Sequence, residues 1–97
     1  MPYSQITVEF IGLSRILTHQ HKLALKIDPG TSYRDIISII AKKYPSMVGQ
    51  VITPDGKELY GSNMISLNGK HMINEDEIGN SPHDGDRIIF MSILAGG

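Results

Sequence analysis

The sequence predicts an α+β fold in which one main helix packs against a mixed sheet of four to five strands. Three observations support this class. Apolar and polar residues alternate over residues 6–10 and 22–27, which is the period of a half-buried strand. Apolar residues then recur at helical spacing over residues 33–44, and a continuous apolar run follows at residues 88–91. The predicted order is therefore strand, strand, helix, irregular stretch, short hairpin and strand.

The first two strands are predicted to form an antiparallel hairpin. Gly12 ends the first strand, and a polar connection leads to the second. Asp28-Pro29-Gly30 ends the second strand because proline has no amide hydrogen to donate to the ladder. The alternating apolar positions are Ile6, Val8 and Phe10 in the first strand and Leu23, Leu25 and Ile27 in the second.

The helix is predicted to begin after Thr31 or Ser32, either of which can cap it, and to end at Pro45. An early Asp35 and late lysines suit the helix dipole. Isoleucine is a weak helix former, so we expect this helix to depend on packing against the sheet. Its apolar positions are Tyr33, Ile36, Ile37, Ile40 and Tyr44.

The rest of the chain is predicted to be a loop over residues 46–63 with at most a short irregular strand, and then a hairpin and a last strand. Asn68-Gly69 is a strong signal for a type I′ turn between Met64–Leu67 and Lys70–Ile73. Residues 74–84 are polar, with Ile78 as their apolar anchor. The crossover rule makes the last strand parallel to the first, with both in the middle of the sheet.

Composition narrows the classes of function. The 97 residues carry 40% hydrophobic and 20% charged residues, which is typical of a single domain. Nine basic and ten acidic residues give a net charge of -1, so we expect neither nucleic acid nor membrane as a partner. The absence of cysteine excludes thiolate ligands and a cysteine nucleophile. With no leader pattern at the start, a cytoplasmic location is expected.

Several polar groups invite a functional interpretation that we do not favour. The four histidines have no ligand-like spacing beyond His19-Gln20-His21, so no metal site is predicted. Asp84 and Asp86 flank Gly85 and resemble an acid–base pair, but a turn before a strand explains them. Glu75-Asp76-Glu77 is expected to be a solvated acidic stretch. Neither glycine-rich nucleotide motif is present, so no bound cofactor is predicted.

The last strand is apolar on both faces, which leaves two alternatives open. A central strand covered on both sides would have this pattern. Alternatively, only Ile88 and Phe90 face the helix, and Ile89, Met91 and Ile93 form an exposed patch that binds a partner protein. One helix cannot cover both faces of a sheet, so we favour the patch.

The order of elements is that of the β-grasp fold of ubiquitin-like proteins. Together with Leu67-Asn68-Gly69, Asp84-Gly85-Asp86 and the final Ala95-Gly96-Gly97, it resembles the ThiS/MoaD family of sulfur-carrier proteins. The resemblance implies a β-grasp domain over residues 1–93 and a flexible Gly-Gly tail over residues 94–97.

The resemblance also implies a carrier or co-substrate, and not an enzyme. An ATP-dependent activating enzyme of the ThiF/MoeB type would adenylate the carboxylate of Gly97, and a sulfur donor would convert it to a thiocarboxylate. A synthase subunit of the MoaE or thiazole-synthase type would accept the sulfur during molybdopterin or thiamine synthesis. Leu94 and Ala95 would guide the tail, and Gly96 would be its flexible joint.

The residues of the tail suit this chemistry. A terminal glycine leaves the carbonyl carbon accessible, and glycine can enter a narrow channel in almost any backbone conformation. Leu94 to Gly97 can extend at most about 13–14 Å. Two alternatives stay open: a protein modifier that is conjugated through Gly97 to lysines, and a β-grasp interaction domain whose tail is incidental.

Overall fold

A computed structural model describes residues 3–92, which form five strands and one main helix. The predicted α+β class is confirmed. Two 3₁₀ turns lie at Pro45–Met47 and Glu75–Glu77. The strands and helices are β1 (Ser4–Phe10), α1 (Leu13–Thr18), β2 (Lys22–Ile27), α2 (Tyr33–Lys43), β3 (Asn63–Leu67), β4 (His71–Met72) and β5 (Arg87–Ser92).

The five strands form one mixed sheet in the order β2-β1-β5-β3-β4. β1 pairs with β2 in antiparallel register, with Ile6 opposite Leu25. On its other side β1 pairs with β5 in parallel register, with Phe10 beside Phe90. The prediction that the first and last strands are parallel neighbours near the middle of the sheet is therefore confirmed.

The hydrophobic core lies between α2 and one face of the sheet. The helix contributes the fully buried Ile36, Ile37 and Ile40, and burial of each is worth about 1.5–3 kcal/mol. The ring of Phe10 contacts that of Tyr44 edge-on, with centroids 5.5 Å apart, and lies 5.8 Å from the ring of Phe90. The helix is thus fixed to the sheet by packing, as its weak intrinsic propensity requires.

A capping box begins α2. The Ser32 hydroxyl accepts a hydrogen bond from the Asp35 amide at 3.1 Å, and the Asp35 carboxylate accepts one from the Ser32 amide at 3.0 Å. Of the two predicted caps, Ser32 is the one used. The bond from the Ser32 backbone amide lowers the pKa of Asp35 below its usual value. At the other end, the Tyr44 amide donates to the Ile40 carbonyl, and Pro45 follows.

Two connecting segments contain more structure than the sequence indicates. The link between β1 and β2, predicted to be a simple polar connection, contains the six-residue helix α1, which begins after Gly12 (φ 70°). Residues 46–62 bury three core side chains, Met47, Val51 and Ile52. Only isolated bridges, at Val48–Ile52 and Ile52–Leu59, pair this segment, which agrees with the predicted irregular structure.

The predicted turn between β3 and β4 is confirmed. Asn68 and Gly69 have φ angles of 57° and 71°, the positive values that a type I′ turn requires. The Lys70 amide closes the turn by donating to the Leu67 carbonyl at 3.0 Å.

Within residues 3–92 no helix combines the length and apolar character needed to span a bilayer.

Candidate functional site

Strand β5 carries the chain to the predicted reactive terminus. Its last residue, Ser92, lies opposite Asn63 of β3 and donates a hydrogen bond from its hydroxyl to the Asn63 side-chain oxygen at 2.6 Å. On the other side, the Ile11 amide donates to the Phe90 carbonyl at 3.0 Å. The strand is therefore held on both sides close to the point where residues 93–97 begin.

The residues predicted to form the tail lie outside the described residues. They are Ile93, Leu94, Ala95, Gly96 and Gly97. Their predicted roles, and the predicted division of the chain into residues 1–93 and 94–97, therefore stay predictions.

The helix-facing side of β5 agrees with the prediction. Ile88 and Phe90 are both 0% exposed and belong to the core beneath α2. In the parallel register with β1 they lie beside Val8 and Phe10, which are also buried. These two residues hold the strand in the fold.

The opposite side of β5 corrects the prediction for Ile89. Ile89 was expected to be part of an exposed patch, but only 4% of it is exposed. Glu9 and Ser66 flank it in register on the neighbouring strands. The β3–β4 turn closes over it, since a Cβ added at Gly69 would lie 3.9 Å from its Cδ1 atom. The neighbouring strands and the β3–β4 turn thus contribute to the burial of Ile89.

Asn68 fastens that turn to the start of β5. Its side-chain oxygen accepts a hydrogen bond from the Arg87 amide at 2.8 Å, and its backbone amide donates to the Arg87 carbonyl, also at 2.8 Å. Its side-chain nitrogen donates to Asp86 at 3.1 Å. The turn is therefore fixed over Ile89 by polar contacts that the apolar pattern of β5 does not reveal.

An ion pair crosses the same face of the sheet. The Arg87 guanidinium contacts the Glu9 carboxylate through Nε–Oε2 at 2.7 Å and Nη2–Oε1 at 3.2 Å. The hydrogen bond from Arg87 lowers the pKa of Glu9, and the charges of Arg87 and Lys22 act in the same direction. The surface beside Ile89 is therefore charged, which disfavours apolar docking at this position.

Of the three residues predicted to form the docking patch, Met91 is the one that the structure describes and leaves accessible to solvent. It is half-buried and lies opposite Met64 of β3. Methionine side chains are flexible and suit adaptable contacts. The docking role of Met91 stays a prediction.

The aspartates before β5 act as turn residues. Asp84 accepts a hydrogen bond from the Gln5 amide at 2.7 Å, and Asp86 accepts one from the His83 amide at 2.8 Å. Both precede β5, at the end of the strand remote from Ser92. The interpretation as a turn is confirmed.

Two of the four histidines form hydrogen bonds with other polar side chains. His71 contacts the Glu77 carboxylate at 2.7 Å, and His21 contacts Arg15 at 2.7 Å. Two hydrogen bonds to the Glu77 carboxylate lower its pKa: the first comes from the backbone amide of Asn74 and the second from the side chain of His71. In the part of the chain that the structure describes, no three metal-ligating side chains are grouped to hold an ion.

The sequence did not single out the exposed apolar residues around α1. Leu13 and Ile16 lie three positions apart on this helix and are 37% and 68% exposed. The spacing of three residues is compatible with one face of a helix, but a segment of six residues is too short for helical periodicity to be recognised.

A mixed sheet with β1 and β5 as central parallel strands and one helix across its face is the β-grasp fold of ubiquitin-like proteins. The predicted fold is therefore confirmed. No protein-family model matches the sequence, and no curated protein sequence matches it either.

Solved structures do match. The structure of SAMP1 from Haloferax volcanii superposes with a TM-score of 0.79 at 17% identity, over 97% of this chain and 100% of that one. A putative molybdopterin converting factor, subunit 1, from Pyrococcus furiosus gives 0.70 at 18% identity, over 94% and 99%. Urm1 from Trypanosoma brucei gives 0.70 at 25% identity, over 98% and 97%.

These neighbours are ubiquitin-like β-grasp proteins of the ThiS/MoaD type, and the predicted resemblance to that type is confirmed. The agreement extends over nearly the whole length of each chain. At these identities it is the fold that the likeness establishes.

Proposed function

We propose that this chain is a sulfur-carrier protein whose terminal Gly97 is adenylated by an activating enzyme and converted to a thiocarboxylate. The observation that carries the proposal is the placement of β5. A central strand, hydrogen-bonded on both sides, leads to Ser92 only five residues before Gly97. The likeness to a putative molybdopterin converting factor subunit supports a role in cofactor synthesis of the molybdopterin or thiamine type.

The proposed chemistry uses one functional group of the chain. A carboxylate oxygen of Gly97 attacks the α-phosphate of ATP, and pyrophosphate leaves. Hydrosulfide, or a donor that supplies it, then attacks the carbonyl carbon of the acyl-adenylate. AMP leaves, and a thiocarboxylate remains. ATP belongs to the activating enzyme, because the chain has no glycine-rich nucleotide motif.

The tail supplies reach and access. Residues 93–97 extend at most about 17–18 Å from Ser92, which is enough for the terminus to enter a site in a partner while the folded body stays outside. Gly96 acts as the flexible joint, and Leu94 and Ala95 contact the wall of the channel. Gly97 has no side chain to obstruct ATP or the sulfur donor.

The proposed partners are an activating enzyme of the ThiF/MoeB type and a sulfur-accepting synthase subunit of the MoaE or thiazole-synthase type, and the proposed location is the cytoplasm. Met91 and Ile93 contribute to docking. A Met91→Asp substitution is expected to weaken binding to the activating enzyme, measured by titration calorimetry. Unchanged binding by a folded variant would remove Met91 from the interface.

Intact-mass measurement tests the carrier function. After incubation with ATP, sulfide and the activating enzyme, the chain should gain the mass difference between sulfur and oxygen. The matched control lacks Gly96-Gly97. It should keep its stability within about 0.5 kcal/mol, because the deletion lies outside the core, and gain no mass. No gain by the full chain would contradict the carrier function, and full biological activity of the deletion variant would favour an interaction domain.

A protein modifier is the second candidate. It is favoured by the likeness to proteins described as small archaeal modifier protein 1. In this case the activated carbonyl of Gly97 forms an isopeptide bond with a lysine amine. Arg87 is the last basic residue, so trypsin would leave residues 88–97 attached to the target lysine. Mass spectrometry of a digested proteome should detect that ten-residue remnant; its absence from a strain that expresses the intact chain would count against conjugation.

A further inference from the structure

Four of the five exposed large apolar residues of the described chain lie near the end of β5. Five such side chains are at least 37% exposed: Tyr3, Ile11, Leu13, Ile16 and Tyr60. A single exposed apolar residue is normal in a small domain, whereas several around one point indicate an interaction surface.

Three of the five lie beside the end of β5 on its β1 side. β1 and β5 are parallel, so both strands end at the same edge of the sheet. The Ile11 amide donates a hydrogen bond to the Phe90 carbonyl at 3.0 Å, which places Ile11 beside the end of the β1–β5 pairing. Leu13 and Ile16 follow directly on α1 and share a face of this helix.

Tyr60 lies on the β3 side of the same strand end. Its carbonyl accepts a hydrogen bond from the Asn63 amide at 2.8 Å, and Asn63 in turn accepts one from the hydroxyl of Ser92. Residues with exposed apolar side chains are therefore joined to the end of β5 on both of its sides. We refer to Ile11, Leu13, Ile16 and Tyr60 as the exit collar. Tyr3 precedes β1 and so lies at the opposite end of the sheet.

The helix that carries half of the exit collar is fixed to the body. Its Ser14 and Thr18 are buried, and the Thr18 hydroxyl donates to the Ser14 carbonyl at 2.8 Å. The Ser46 hydroxyl donates to the Leu17 carbonyl at 2.7 Å, which joins α1 to the turn after α2. Ile16 is 68% exposed on a helix whose other side is already packed, so it contributes little to the core.

We propose that the exit collar is the surface on which the activating enzyme docks, an inference that rests on the proposed adenylation of Gly97. Residues 93–97 reach at most about 17–18 Å, so the site that binds ATP must lie within that distance of Ser92. The body of the enzyme must then cover the surface around Ser92. The residues there are apolar, whereas the face around Ile89 is covered and charged. The enzyme that fits has an apolar rim around the entrance to its adenylation site.

Steady-state kinetics of ATP–pyrophosphate exchange test this proposal. The probe is the purified ThiF/MoeB-type activating enzyme of the same organism, with the carrier as the varied substrate. Ile16→Gln and Tyr60→Gln should each raise the KM for the carrier about tenfold or more with kcat unchanged, because the lost contact serves binding alone. Tyr3→Gln is the matched control: it removes an apolar side chain whose exposure, 60%, lies between those of Tyr60 and Ile16, at the remote end of the sheet, and its KM should stay within about twofold.

The possible outcomes separate the two proposals. An unchanged KM for both collar variants, with normal exchange by the unaltered chain, overturns the exit collar and leaves adenylation standing. No exchange by the unaltered chain overturns the proposed function and the collar with it. A collar variant that changes the sedimentation coefficient but not KM shows that a second copy covers this surface, which also overturns the proposal. Thermal unfolding of each variant confirms that the fold is retained.

Discussion

The two faces of β5 are buried by different means. On one face, Ile88 and Phe90 pack beneath α2 in the continuous core. On the other, Ile89 is almost as well buried, although it is not a member of that core cluster. The Asn68–Gly69 turn and the flanking Glu9 and Ser66 enclose it instead. An apolar residue pattern in a strand thus predicts that the side chains on both faces are buried. It does not indicate whether a packed layer or the adjacent strands and turns bury them.

The largest expected effect is on the helix-facing side. Phe90→Ala removes a fully buried ring that packs against Phe10 within the core, and it should lower the free energy of unfolding by about 3–5 kcal/mol. Chemical denaturation measures the change. Met91→Ala is the control on the same strand. Met91 is half-buried, so the cost should be below about 1 kcal/mol, and equal costs would show that the two faces are equivalent.

Ile89→Ala should cost about 2 kcal/mol, the lower end of the range for buried isoleucine. The reason is that its cover consists of a turn and flexible polar side chains, which can close over the cavity more readily than the packed helix. Ile88→Ala, at 0% exposure in the core, should cost more. A cost below about 0.5 kcal/mol for Ile89→Ala would show that this face is open in solution.

Gly69→Ala should cost about 1 kcal/mol, because alanine adopts the observed φ of 71° only with strain. A steric clash is not the cause, since the nearest atom to the added Cβ would be Ile89 Cδ1 at 3.9 Å. Gly79→Ala is the matched control: its φ is outside the left-handed region, nothing lies within 4 Å of its Cβ position, and its effect should be near zero. Equal effects in thermal melts would contradict this role of the turn.

The smallest expected effect belongs to the ion pair on the covered face. Glu9→Gln should lower stability at pH 7 by less than about 1 kcal/mol. Glu9 has a lowered pKa in the folded state, so its contribution is present above the unfolded-state value of 4.5 and is lost as the pH falls through the folded-state pKa.

The stability difference between the unaltered chain and Glu9→Gln should therefore shrink as the pH is lowered from 7 through the acidic range. Urea unfolding at a series of pH values measures it. A difference that stays constant down to pH 2 would show that Glu9 acts through packing and not through its charge.

Most of the fold could be predicted because its signals are local. Alternation marked β1 and β2, the capping residues before Tyr33 marked α2, and Asn68-Gly69 fixed a type I′ turn. The central parallel pair followed from a general rule on crossover connections. The β-grasp order was therefore readable without any knowledge of the long-range contacts.

What could not be predicted depends on contacts between distant segments. The burial of Ile89 requires Glu9, Ser66 and the turn at Asn68, which only the register of three strands brings together. Helix α1 is six residues long, too short to be recognised by periodicity, and it is fixed by Ser46. For the tail, the sequence led to the prediction that Gly97 is the reactive residue, while the apolar residues near Ser92 became visible only in the structure.

The pairing of β1 with β5 has a consequence for how the protein matures. The bond between Gln5 and Asp84 joins residues 79 positions apart, and the Glu9–Arg87 pair spans 78. Nearly the entire chain must be synthesised before the sheet can close, and contacts of such separation form slowly. A truncated chain that lacks β5 has neither the central strand of the sheet nor the Gly96-Gly97 ending. Completion of the sheet and presentation of the tail that we propose to react, residues 93–97, therefore depend on the same last strand, and an unfinished chain would offer the proposed activating enzyme no substrate.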